Sequence, residues 1–358
     1  MKFHAGKSAR FCACCFSSLC SLFLALFTFS SFFTICSLAA MLLLSGKVLA
    51  APPETRASHL GMVSTGTAEI MHMEDYLKDY PASHTAVLSY LRLDTEEVFP
   101  VIRYMKTNAA IQARAGREFW PQVAIETSNL NLADFRRELS RQGSQIDISV
   151  RTLAYGIARF KARKKWFFIR PFSEMNDATE SAPWEFGLKA RRNTPADFAA
   201  AWKLLRDVFN EEGATNAIFI FSPLAANRVH GEKEVLEALN KIPVGYIDAF
   251  GLNVYARPRS AYSGTSPEPI PFTELVQPWL KVLASSKQRG LPLAVAEMGI
   301  SNQAADADRA QWLRDAFTFA RANNFVMITY FNYPHRYWKI DMHTLAGAAL
   351  KAEMDKRE

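Results

Sequence analysis

Trp166-Phe167-Phe168-Ile169-Arg170-Pro171-Phe172-Ser173-Glu174-Met175-Asn176 is the stretch that decides the fold. It opens on an apolar, aromatic run without polar alternation, the pattern of a strand covered on both faces. It closes on an arginine and a carboxylate. Strands buried on both faces belong to parallel sheets whose crossovers are helices, and in a closed barrel of that kind the C-terminal strand ends carry the chemistry. The form recurs downstream: Pro292-Leu293-Ala294-Val295-Ala296 ends on Glu297, and Gly251-Leu252-Asn253-Val254-Tyr255 ends on an Asn/Tyr pair.

Working outward, apolar runs at 60–65, 86–91, 120–126, 166–171, 217–221, 247–254, 293–297 and 325–331 read as strands. Helical patterns alternate with them. Phe198, Trp202, Leu205 and Phe209 form one stripe at helical spacing, opened by Thr194 as N-cap with Pro195 at the first helical position and closed by Gly213. Similar patterns occupy 272–288 and 308–323, ending at Gly290 and at Asn323-Asn324. Eight strands alternating with helices predict an α/β fold, the (β/α)8 TIM barrel. The rival, a doubly wound open sheet, needs a glycine-rich loop after the first strand, and Gly61-Met62-Val63-Ser64-Thr65-Gly66 is not that fingerprint.

The 358-residue chain divides in the sequence into an export segment, 1–50, and a barrel domain, 51–358. No charge occurs between Arg10 and Lys47, the segment is apolar, and it ends in Val48-Leu49-Ala50-Ala51-Pro52. That pattern predicts a cleaved signal peptide or, since the run is long enough to span a bilayer, an uncleaved N-terminal membrane anchor. Either places the remainder outside the cytoplasm, in the periplasm or secreted. The formal charge of +7 falls to +3 without Lys2, Lys7, Arg10 and Lys47. With no run of Lys/Arg interleaved with aromatics, nucleic acid is excluded as the expected partner. All five cysteines, Cys12, Cys14, Cys15, Cys20 and Cys36, fall in the export segment, so the barrel domain has neither disulfide nor Cys-ligated metal. His230, His335 and His343 lack the spacing of a metal motif, and no cofactor or phosphate loop is read.

Side chains alternate faces along a strand. If the strand stays extended past Pro171, then Phe168, Arg170, Phe172 and Glu174 share a face; so do Leu293, Val295 and Glu297, and Gly251, Asn253 and Tyr255. Either glutamate alone reads equally well as a solvated loop acid or a helix cap, and Tyr255 alone as a packed rim aromatic. Two glutamates together with Arg170, Asn253 and Tyr255 at strand ends read better as one site. Paired carboxylates flanking one bond suit glycoside cleavage, where one protonates the leaving oxygen and the other attacks the sugar carbon.

The segment Arg170-Pro171-x-x-Glu174-Met175-Asn176 resembles the acid/base motif of family 26 glycoside hydrolases, retaining (β/α)8 enzymes whose best-known members are endo-β-1,4-mannanases. The resemblance runs from about Ile146 to Met342. It includes Asn193-Thr194-Pro195-Ala196-Asp197-Phe198, Gly251-Leu252-Asn253-Val254-Tyr255, Ala296-Glu297-Met298-Gly299 and Tyr330-Phe331-Asn332 with Trp338-Lys339-Ile340 beyond. It implies Glu174 as acid/base, Glu297 as nucleophile, Tyr255 as a hydrogen-bond partner of the nucleophile, and Trp184 and Trp338 as aromatic surfaces for sugar. Arg170 and Asn253 complete the expected substrate site, Arg170 by pairing with a carboxylate. Three positions depart from the family: Ser173 stands where His usually precedes the acid/base, Asn253 where Asp is usual, and 177–184 replaces a Trp-rich stretch. Trp120, Trp279, Trp312, Tyr330 and Tyr333 add to the aromatic supply, with Trp202 and Trp312 read as core. The expectation is thus an exported, monomeric retaining hydrolase of a β-linked oligo- or polysaccharide, β-mannan or a related β-glucan. The alternatives are a non-hydrolytic polysaccharide-binding barrel and a hydrolase tied to exopolysaccharide assembly.

Overall fold

The computed structural model describes residues 60–63, 84–116, 118–160, 166–177, 182–186, 193–226, 231–258, 268–332 and 337–356. The expected export segment, Ser64, His230, Tyr333 and His335 lie outside them. Among the described residues no helix is long and apolar enough to cross a membrane.

Nine parallel strands form one sheet: β1 (Leu60–Val63), β2 (His84–Arg92), β3 (Glu118–Glu126), β4 (Phe167–Pro171), β5 (Ala217–Phe221), β6 (Leu224–Ala226), β7 (Ala249–Ala256), β8 (Leu293–Ile300) and β9 (Met327–Tyr330). Their order is β5-β4-β3-β2-β1-β9-β8-β7-β6, and β5 also pairs with β7 through Ile220↔Ala249 and Phe221↔Phe250. That last pairing closes the sheet. β6 runs on along β7 where β5 leaves off, separated from it only by Ser222-Pro223, so the two short strands share one stave of a (β/α)8 barrel. The eight strands expected from the apolar runs are all present; β6 is the addition.

Among the described residues eight helices flank the staves: α1 (Val98–Arg114), α2 (Leu132–Ser140), α3 (Gln145–Ala158), α4 (Pro195–Glu211), α5 (Glu232–Lys241), α6 (Phe272–Ser285), α7 (Asp306–Ala322) and α8 (Leu345–Asp355). α4 starts as its sequence predicts. The Thr194 hydroxyl accepts from Asp197 N–H at 3.1 Å while the Asp197 carboxylate accepts from Thr194 N–H at 3.1 Å, a reciprocal cap on the first turn.

Alternation along the strands sorts the core into two shells. Trp120, Phe168, Ile218, Ile220, Ala249, Ala294, Ala296 and Met327 fill the barrel interior. Phe167, Ile169, Phe219, Phe221, Phe250, Leu252, Val295 and Ile328 face outward against Phe198, Trp202, Phe209, Val276, Trp312 and Leu313 of the helices. Small residues sit where the staves approach closely: a Cβ on Gly251 would stand 2.5 Å from Ile220 and 3.0 Å from Ala296. Trp202, Trp279 and Trp312 are buried helix residues, and Tyr330 is buried with its hydroxyl on the Trp338 carbonyl at 2.7 Å, so these rings serve packing. Trp120 belongs to the barrel interior beside Phe168, with ring centroids 5.5 Å apart.

Candidate active site

Register places the polar groups at one end of the barrel. Tyr90 pairs with Ala124 and Ala124 with Arg170, so the three stand level across β2, β3 and β4; Asn253 pairs with Glu297 across β7 and β8. All sit toward the C-terminal ends of parallel strands.

Two of the three predicted faces form differently from the simple alternation. On β4 the extended conformation stops at Pro171. Phe172 and Glu174 then take left-handed backbone, with φ of 50° and 59°. Phe172 consequently turns outward, away from the face of Phe168 and Arg170, and packs edge-on against Phe135 at 5.0 Å and Phe198 at 6.1 Å. The turn, not strand alternation, brings Glu174 to the site. On β8, Ala294 and Ala296 face the interior and Val295 faces out, opposite to the expected parity. A bulge resets it: β7 residue Leu252 pairs with Val295, but the next, Asn253, pairs with Glu297, leaving Ala296 as the extra residue. The alternation of Gly251, Asn253 and Tyr255 on β7 forms as read.

The structure brings Glu174, Glu297, Arg170, Asn253 and Tyr255 together. Arg170 is fully buried, and its guanidinium is the hub. Nη1 donates to Glu297 Oε1 at 2.5 Å and Nη2 donates to Asn253 Oδ1 at 2.8 Å, while Nε reaches Ser222 Oγ at 3.4 Å. The Asn253 amide then donates to Glu174 Oε1 at 2.7 Å. One buried cation therefore touches one carboxylate directly and the other through an amide. Arg170, expected among the substrate-binding residues, has each of its three nitrogens directed at a protein group. Asn253, at the position where the resembling family has Asp, supplies what an aspartate lacks: an N–H for Glu174.

Glu297 accepts three hydrogen bonds: Arg170 and Tyr90 Oη (2.8 Å) on Oε1, and Tyr255 Oη (2.5 Å) on Oε2. Burial first, and then the Glu297 charge, hold the Tyr90 and Tyr255 hydroxyls well above the usual phenol range, so both keep the proton they donate. Glu174 has one donor. Burial, followed by the negative charge of Glu297, pushes its carboxyl up to about 8 against the opposing effects of Asn253 and Arg170. One network thus gives Glu297 three donors and leaves Glu174 with one and a raised carboxyl.

The acid-bearing turn is pinned at each residue. Glu174 N–H donates to Ser222 O at 2.9 Å, the carbonyl freed by the interruption between β5 and β6. Asn176 pairs with the Leu224 backbone, accepting its N–H at 2.8 Å and donating to its carbonyl at 3.0 Å. Trp184, expected as a sugar-facing aromatic, instead lies behind this turn. It is 6% exposed, donates its N–H to the Ser173 carbonyl at 2.8 Å and packs near Phe172 with centroids 6.4 Å apart. Around it, Phe186 N–H meets the Met175 carbonyl at 2.9 Å and Asn193 Nδ2 holds the Pro183 and Glu185 carbonyls at 2.6 and 2.9 Å. Trp338 does adjoin the site: its ring lies 4.8 Å from that of Tyr255, with the Arg257 guanidinium 5.6 Å from its centroid. Gly299 makes room for this pair, since a Cβ there would meet the Tyr255 ring at 3.0 Å and Trp338 at 3.1 Å.

Sequence reasoning missed two residues. Tyr90 shares the inward face of β2 with Leu88, so its parity was available, but nothing in the run marked it as polar-facing. Glu126 ends β3 on the face of Trp120, Gln122 and Ala124. Burial pushes its carboxyl up to about 7, with Arg92 at 3.8 Å opposing and Glu297 reinforcing. Among the described residues no group of three or more His, Cys, Asp or Glu side chains is arranged to hold a metal.

The GH26 β-mannanase BoMan26A of Bacteroides ovatus superposes with a TM-score of 0.55 at 12% identity, over 84% of this chain and 88% of that one. The GH26 domain of the endo-β-mannanase/endo-β-glucanase PbGH26-GH5A of Prevotella bryantii gives 0.53 at 13% identity, over 85% and 90%. The fold is that of the GH26 barrels. XacCel5A, solved in complex with cellopentaose, shares it at a TM-score of 0.51 and 12% identity, over 83% of this chain and 99% of that one. No protein-family model and no curated protein matches the sequence.

Proposed function

We propose that this chain is a retaining glycoside hydrolase acting on a β-linked polysaccharide, of the β-mannan type or a related β-glucan. The observation that carries the proposal is the pairing of two glutamates in opposite electrostatic settings, bridged by Arg170 and Asn253. In the first step Glu297 attacks the anomeric carbon as the glycosidic C–O bond breaks, and Glu174 gives its proton to the leaving oxygen. In the second, Glu174 takes a proton from water, the water oxygen bonds to that carbon, and the bond to Glu297 breaks with its electron pair returning to the carboxylate. Glu174 at about 8 is protonated at neutral pH, as the first step needs. Trp338, 9% exposed, packs 4.8 Å from the Tyr255 ring and so shapes the site behind the nucleophile's hydrogen-bond partner. The solved structures with this fold support the class: a β-mannanase, an endo-β-mannanase/endo-β-glucanase domain and a cellopentaose complex. The basic start, the uncharged run from Arg10 to Lys47 and the small residues at Ala50-Ala51 support export, to the periplasm or beyond, with the segment cleaved or retained as an anchor.

Incubating the protein with β-mannan, β-1,4-glucan and β-1,3-glucan and measuring reducing ends tests this. Release from at least one polymer, abolished in Glu297→Gln, is expected. Binding to a polymer without release by the wild-type protein would replace hydrolysis with a polysaccharide-binding role.

A further inference from the structure

The two oxygens of Glu297 are not equivalent. Oε1 accepts from Arg170 Nη1 at 2.5 Å and from the Tyr90 hydroxyl at 2.8 Å; among the described residues Oε2 accepts only from the Tyr255 hydroxyl at 2.5 Å. A carboxylate oxygen has two in-plane lone pairs. Both are engaged on Oε1, and one remains on Oε2. We propose that Tyr90 is a positioning residue that, together with Arg170, occupies the non-reacting oxygen of Glu297, so that the carboxylate attacks sugar through Oε2 and leaves with its charge gathered on Oε1. The inference rests on the glycosidase reading and deepens it.

Tyr90 is built into that place. It stands level with Ala124 and Arg170 in the register of β2, β3 and β4, and its ring packs with Leu88, Ala124 and Phe331. The charged and titratable groups around its hydroxyl are Glu297 on β8, Arg170 on β4, Glu174 on the turn after β4 and Glu126 at the end of β3. Without the Tyr90 hydroxyl, Arg170 is the donor left on Oε1.

The chemistry separates the two steps. When Oε2 bonds to the anomeric carbon, Oε1 becomes the carbonyl oxygen of a glycosyl ester. Two donors on that oxygen favour the return of negative charge as the ester C–O bond breaks, so they help Glu297 depart. The same donors draw charge toward Oε1 and away from Oε2, which makes Oε2 a weaker attacker. Loss of Tyr90's bond therefore slows the second step and is partly compensated in the first. A residue that merely shapes the site slows both alike.

The test is pre-steady-state kinetics of the full chain with 2,4-dinitrophenyl β-mannobioside and β-cellobioside, comparing wild type, Tyr90→Phe and Tyr255→Phe. Tyr90→Phe keeps the ring and its packing. The expected result is a burst of one dinitrophenolate per enzyme followed by a kcat lowered on the order of tenfold or more, with KM falling alongside so that kcat/KM drops much less. Tyr255→Phe, which strips the attacking oxygen of its donor, is expected to lower kcat/KM without a burst. Equal losses in kcat and kcat/KM for Tyr90→Phe, or no change in either, overturn the role of Tyr90 while leaving the glycosidase reading intact. A wild-type protein that releases neither dinitrophenolate nor reducing ends overturns that reading, and the inference with it.

Discussion

Glu174 and Glu297 stand at the same end of the same barrel, yet the chain delivers them in different ways. Glu297 lies within β8, one residue past a bulge, and meets three donors, one of them a buried guanidinium. Glu174 rides a turn with left-handed backbone at Phe172 and at itself, and meets one amide. Each such conformation costs on the order of 1 kcal/mol and persists only where surrounding structure imposes it. Here the constraint is visible: Phe172 is locked among Phe135, Phe198 and Trp184, and Glu174 N–H is tied to Ser222. The comparison teaches that a single cation, Arg170, divides the work. The carboxylate it touches gains a direct charged donor, and the one it reaches only through Asn253 has its carboxyl pushed up to about 8.

The comparison breaks most visibly in the products of rescue. Glu297→Ala and Glu174→Ala should each lose several orders of magnitude of activity on natural glycans, since each removes a reacting group. Azide should partly restore both with an activated aryl glycoside, giving an α-glycosyl azide from Glu297→Ala and a β-glycosyl azide from Glu174→Ala. Product NMR reads the anomer, and the same anomer from both variants would sink the assignment of roles.

Asn253→Asp sharpens the comparison by turning the bridge against Glu174. Because Glu174 must be protonated for the first step, kcat/KM is expected to fall as pH rises through about 8. The Asn253 amide works to lower that value. Replacing it with a carboxylate removes the donor and adds a like charge, so the alkaline limb should move up by about one unit. A pH–rate profile unmoved by the change would show that the bridge does not govern the acid.

The last effect is on stability rather than rate. A carboxyl raised from its ordinary value to about 8 in the folded protein resists ionisation there, while the unfolded chain ionises freely above its ordinary value. Its favourable contribution is complete below about pH 4.5 and is lost as pH rises toward 8. Glu174→Gln, which cannot ionise, should therefore gain stability over wild type across that window, on the order of 5 kcal/mol at pH 8 to 9, in denaturant titrations. Glu126, raised to about 7, contributes the same trend to both proteins and cancels in the difference. A constant difference from pH 5 to 9 would contradict the burial of Glu174.

Much of the fold was legible because period and punctuation are local. The apolar runs that became β3, β4, β5 and β8 needed no knowledge of partners, and Thr194-Pro195 with Asp197 announced the start of α4 from three side chains. Both glutamates were legible as ionisable groups closing buried runs. The route by which each reaches the site was not. Alternation assumes an unbroken strand, and neither the left-handed turn at Phe172 nor the bulge at Ala296 leaves a mark in composition. Trp184 misled for the opposite reason: an aromatic near an acid is equally ready to stack on sugar or to pack behind a loop, and only the neighbouring Phe172 and the Ser173 carbonyl chose between them.

The sequence by itself determined that this chain alternates buried strands with amphipathic helices and places ionisable groups after the strands, because burial periodicity and strand-end polarity are properties of short windows. Tertiary structure alone decided which groups share a proton network. Tyr90 and Glu297 are 207 residues apart and Arg170 and Glu297 are 127 apart, and such pairs meet only once β5 closes on β7 and fixes the register around the ring. The raised carboxyl of Glu174 follows from burial and from the nearby Glu297, neither of which exists until the barrel is shut.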